Sequence, residues 1–73
     1  MLNYDREVCE GWTPRDFINA MKVEIATIMA GGSIHKPFKS KLELEVYLIS
    51  NQPYYKKKIP EVIEYFSNKY GLN

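Results

Sequence analysis

The sequence predicts an all-α fold, a small compact three-helix domain, and three observations carry that expectation. Apolar residues recur at helical spacing in three separate segments of the 73-residue chain. Each segment opens on residues suited to a helix start, and short connections rich in Gly, Pro, Ser and Asn separate them.

Trp12-Thr13-Pro14-Arg15-Asp16-Phe17 is the clearest start. The Thr13 hydroxyl suits an N-cap, where it can accept from an orphan backbone N–H, and Pro14 suits the first helical position, where no N–H is needed. Asp16 places negative charge at the positive end of the helix dipole, and Trp12 is spaced to staple onto Phe17. Phe17, Ile18, Met21, Ile25, Ile28 and Met29 then repeat at helical spacing, with Asn19, Lys22 and Thr27 among the polar positions, until Gly31-Gly32 offers a left-handed stop. The first helix is expected over about 14–30.

Lys36 precedes Pro37 and is pushed toward extended geometry, so residues 33–39 read as a connector, with Ile34 and Phe38 as candidates to tuck inward. Ser40-Lys41-Leu42-Glu43 matches a capping box and predicts a second helix over about 41–50. Leu42-Glu43-Leu44-Glu45-Val46-Tyr47-Leu48 also alternates with period two, the pattern of a strand. A lone strand has no partner in this chain, which favours helix. On that helix Leu42, Val46 and Ile49 share one face, with Leu44 and Leu48 beside it. Pro53 to Lys58 suggests an extra helical turn at 53–58. Ile59, Val62, Ile63, Phe66 and Tyr70 then define a third helix over about 60–70, with Glu61, Glu64 and Asn68 outward and Gly71 as its stop. The expected core includes Phe17, Met21, Ile25, Ile28, Val46, Ile63 and Phe66. Residues 1–73 read as one domain, with 1–10 loosely ordered.

Composition excludes several classes of function. A domain this small buries only about 60% of its unfolded surface. The 45% hydrophobic content is nonetheless that of a globular protein. Cys9 is the single cysteine, and the N-terminus carries neither a basic region nor an apolar one, so no disulfide framework and no secretion signal are expected. The longest weakly polar stretch, residues 25–34, is far short of the roughly 20 residues that span a bilayer. The expected location is the cytoplasm, without membrane contact. One Cys and one His, Cys9 and His35, cannot make a zinc site, and each sits where a structural role is expected. Glu43 and Glu45, two residues apart, fall on different sides of a helix. Gly31-Gly32-Ser33 ends a helix where a phosphate cradle would begin one. The chain is therefore expected to be no enzyme and to need no cofactor, no metal and no small-molecule substrate.

Charge is near balance overall at +1, but uneven along the chain. The start is acidic. Lys36, Lys39, Lys41, Lys56, Lys57 and Lys58 against Glu43 and Glu45 make the middle basic. In Asn51 to Pro60 two tyrosines and three lysines lie between two prolines. Tyr54, Tyr55, Lys56, Lys57 and Lys58 are accordingly the candidate partner-binding residues: proline stiffens the segment, tyrosine supplies contact area at small entropic cost, and lysine steers an acidic partner. Another protein, or a second copy of the chain, is the expected partner of a small accessory or regulatory factor. The alternative is weakly sequence-specific nucleic-acid binding, with lysines on phosphates and tyrosines on bases. Residues 40–70 have the layout of a helix-turn-helix, but Pro53 in the turn and Glu61 and Glu64 on the second helix speak against it.

Overall fold

The computed structural model describes residues 3–51 and 58–73. Among them it holds three helices, α1 (Pro14–Met29), α2 (Lys41–Asn51) and α3 (Pro60–Tyr70), in a small all-α domain. The observed ends differ from the expected ones by a single residue. The extra turn expected at 53–58 lies outside the described residues, apart from Lys58.

Local chemistry accounts for the helix ends. At α1, Thr13 and Asp16 form a reciprocal capping box: the Asp16 N–H donates to Thr13 Oγ1 at 3.3 Å and the Thr13 N–H donates to Asp16 Oδ2 at 2.8 Å. The Trp12 and Phe17 rings, 4.8 Å apart, close the staple. The helix ends in a Schellman arrangement, in which the Gly31 N–H donates to the Ile28 carbonyl and the Gly32 N–H to the Thr27 carbonyl, both at 3.0 Å. Gly31 (φ 82°) and Gly71 (φ 68°) take the left-handed conformation that ends α1 and α3, where a side chain would be strained. At α2 only half of the expected box forms. The Glu43 N–H donates to Ser40 Oγ, but the Glu43 carboxylate reaches one residue further out and accepts from the Lys39 N–H, both at 3.2 Å. The Lys41 N–H donates to the Asn73 carbonyl at 3.0 Å, so the residues after α3 cover the start of α2.

α3 packs against both α1 and α2. Its Val62, Ile63 and Phe66, with Ile59 just before it, meet Phe17, Ile18, Met21, Ile25 and Ile28 of α1, Leu44 and Leu48 of α2, and Phe38 of the connector in one core. Tyr4, Val8, Cys9, Trp12, Tyr47, Tyr65 and Tyr70 are half-buried around it. The segment before α1 folds back along the bundle. Its Tyr4 carbonyl accepts from the Arg15 N–H at 3.1 Å. The Arg6 guanidinium grips Glu61 with two nitrogens, Nε and Nη2, the latter 2.7 Å from Oε1.

Four sequence expectations are corrected. Val46 is 54% exposed and outside the core, and Leu42 and Ile49 are exposed with it, while Leu44 and Leu48 are fully buried. Alternating apolar residues wound on a helix fall on two sides, and the side taken by Leu44 and Leu48 is the one that meets α3. Ile34 is almost fully exposed, and Phe38 is the connector residue that enters the core. Glu61, expected to face water, is buried because Arg6 meets it there. Glu64, also expected outward, is half-exposed and pairs with Lys41 at 3.1 Å.

Two stability predictions follow from this packing. Leu48→Ala is expected to lose about 2–5 kcal/mol, because it empties a fully buried site. Val46→Ala is expected to stay within about 0.5 kcal/mol, because that side chain faces solvent. Chemical denaturation of the two variants checks the assignment of faces. Arg6→Ala is expected to lower the melting temperature more than Arg15→Ala, since the Arg15–Asp5 pair is exposed on both sides whereas loss of Arg6 strands a buried carboxylate. Adding Glu61→Gln to Arg6→Ala should recover part of that loss.

Candidate functional site

Of the residues singled out from the sequence, Tyr54, Tyr55, Lys56 and Lys57 lie outside the described residues. Lys58 is exposed, and its ammonium lies 3.8 Å from Glu45. Lys41, expected to join the basic group, turns to Glu64 instead. Among the described residues the lysines near α2 are thus partly matched by carboxylates, while Lys36 and Lys39 remain exposed. His35 lies edge-on to Tyr47, with ring centroids 5.0 Å apart, and Cys9 sits in the turn before α1, where its carbonyl accepts from the Trp12 N–H. No group of three or more His, Cys, Asp or Glu able to hold a metal ion occurs among the described residues, and no described helix is long and apolar enough to cross a membrane.

The surface that stands out is the outer face of α2. Leu42, Val46 and Ile49 follow at i, i+4 and i+7 and fall within an arc of about 60°. Their exposures are 66%, 54% and 42%. The buried pair Leu44 and Leu48 lies on the far side of the helix axis. One short helix therefore carries two apolar faces, one of which serves the core. At 100° per residue Glu43 and Glu45 flank the outer stripe on opposite sides, giving it an acidic rim. Glu43 is exposed, and half-buried Glu45 is faced by Lys58.

A polar bridge and a core contact fix the stripe's orientation. The Tyr47 hydroxyl donates to Glu24 Oε2 of α1 at 2.6 Å, and the Phe38 ring packs 5.3 Å from the Tyr47 ring. With Leu44 and Leu48 locked into α3 and Tyr47 tied to α1, the helix cannot roll without breaking both, so Leu42, Val46 and Ile49 stay outward. Burial, and then the hydrogen bond to Glu24, push the Tyr47 hydroxyl up to about 12. At α3 the Arg6 guanidinium, hydrogen-bonded to the Glu61 carboxylate, holds that group below its ordinary range against the opposing effect of burial.

The sequence carried the signal for this stripe, since the i, i+4, i+7 spacing of Leu42, Val46 and Ile49 is legible there. What it did not show is which of two apolar faces meets the core. Comparison of the chain with protein-family models, with curated proteins and with solved structures finds no match.

The Tyr47 bridge gives a pH prediction. A neutral hydroxyl is favoured in the folded state, so its contribution is intact below the ordinary tyrosine range near 10 and is lost as pH rises toward about 12. Denaturation across pH 9 to 12 should show stability falling through that window, with a shallower fall for Tyr47→Phe.

Proposed function

We propose that this chain is a non-enzymatic accessory or regulatory protein that works through contact with another protein, using the outer face of α2. The supporting observation is the second apolar face of that helix. Leu42, Val46 and Ile49 are spaced as anchors for the groove of a partner or for a second helix, the pattern by which amphipathic helices are recognised. Covering a large aliphatic side chain fully contributes on the order of 1.5–3 kcal/mol. Three side chains already partly covered support a modest, reversible contact, and their area is well below the roughly 800 Å² per partner of a standard interface. The acidic rim suits a partner with basic residues around an apolar groove, and opposite charge there sets the rate of encounter.

Capture of partners from host extract with the purified chain tests this reading. Val46→Glu should abolish capture while leaving the melting temperature nearly unchanged, because the site is exposed. Sedimentation of the chain alone, with and without Val46→Glu, separates self-association from a different partner. Parallel captures with Tyr54→Ala and Tyr55→Ala test the tyrosine–lysine segment that follows α2. Retention of every partner by Val46→Glu contradicts the α2 reading.

A further inference from the structure

A second surface, between α1 and α3, has a different chemistry. Tyr4 and Tyr65 together line two adjoining lobes of a cleft. One, of about 230 Å³, is completed by Arg15, Ile18, Asn19 and Lys22. The other, shallow and wide open to solvent, is completed by Asn68 and Lys69. The elements dictate this grouping. Arg15, Asn19 and Lys22 follow at i, i+4 and i+7 on one face of α1, and Tyr65, Asn68 and Lys69 follow at i, i+3 and i+4 on α3. The hydrogen bond from the Arg15 N–H to the Tyr4 carbonyl brings the Tyr4 ring to the junction.

The charge of the lining does not follow from composition. Ten basic residues are opposed by nine acidic ones in the whole chain, yet the lining holds three cations and no carboxylate. Arg15 is matched by Asp5 at 3.0 Å. Lys22 makes no ion pair among the described residues, and the Lys69 ammonium lies 5.9 Å from the centroids of both the Tyr65 and Tyr70 rings. The cleft therefore offers positive charge beside half-buried aromatic rings, with the amides of Asn19 and Asn68 able to donate and accept.

From this juxtaposition we infer that the cleft binds a nucleotide unit, its base against the Tyr4 and Tyr65 rings and its phosphate against Lys22 and Lys69, either free or as part of a single strand. A bare phosphate brings no ring to the tyrosines, and a peptide of Asp and Glu alone brings no aromatic ring to stack on them. A base with its phosphate uses both, in the manner of single-strand binding surfaces that combine stacking with a basic track. This inference is independent of the α2 contact, which lies on another helix.

Fluorescence anisotropy tests it with two probes: a short fluorescein-labelled oligothymidylate and a fluorescent derivative of adenosine monophosphate. At about 50 mM salt at least one should bind saturably, and binding should weaken as salt rises because phosphate contacts release counterions. Lys22→Glu/Lys69→Glu should weaken binding about tenfold or more without a change in melting temperature, and Tyr4→Leu about threefold or more with the helical fold retained. If the doubly charged variant does not fold, Lys22→Ala/Lys69→Ala takes its place, with a smaller loss. Lys36→Glu/Lys39→Glu, outside the cleft, should leave binding unchanged. Binding of the mononucleotide as tightly as the oligomer identifies a free nucleotide as the ligand; binding of the oligomer alone identifies a strand. The inference is overturned if neither probe binds, if polyaspartate competes as well as unlabelled oligomer, or if the Lys36/Lys39 variant loses as much as the Lys22/Lys69 variant.

Discussion

An eleven-residue helix that must be covered on two flanks has few positions left for water, and α3 organises the rest of the domain through that constraint. Val62, Ile63 and Phe66 bury almost completely between α1 and α2, so the two early carboxylates of the helix, Glu61 and Glu64, come to lie at the seams. Each is met there by a cation from another part of the chain, Arg6 from the N-terminal segment and Lys41 from α2. Glu61 also lies in the first turn of α3, where the helix dipole favours negative charge. Hydrophobic packing chooses the neighbours of α3, and the two ion pairs fix their position along it.

Most of the architecture was legible because the signals that delimit helices are local. Thr13 with Pro14, Gly31, Pro60 and Gly71 each act within a turn of their own position, and α1 and α3 begin and end where those residues require. The choice of face on α2 was not local. Leu42, Leu44, Val46 and Leu48 give that helix two apolar sides, and only the docking of α3 distinguishes them. Glu61 was misread for the same reason, since its partner Arg6 is 55 residues away in sequence. The cleft between α1 and α3 was equally illegible. Lys22 and Asn68 read separately as polar positions on two helices, and their grouping with Tyr4 depends on the return of the N-terminal segment over α1.

The two surfaces differ in the chemistry they offer. The outer face of α2 is apolar with an acidic rim and is built on a single helix held against rolling by Leu44, Leu48 and Tyr47. The cleft is basic and aromatic and draws on three separate stretches of chain. A change on α2 leaves the cleft's lining intact, and a substitution at Lys22 or Lys69 touches neither the stripe nor the core. The two surfaces can therefore be altered one at a time.

The grip of Arg6 on Glu61 also has a consequence in time. The contact joins the segment before α1 to the first turn of α3, so it needs that segment returned along the bundle. Closing so long a loop is entropically costly when the chain is open and nearly free when the bundle already stands. A contact that closes after the folding barrier governs how slowly a native chain opens more than how quickly it forms. The N-terminal segment is accordingly expected to lengthen the life of the folded state more than to hasten its formation.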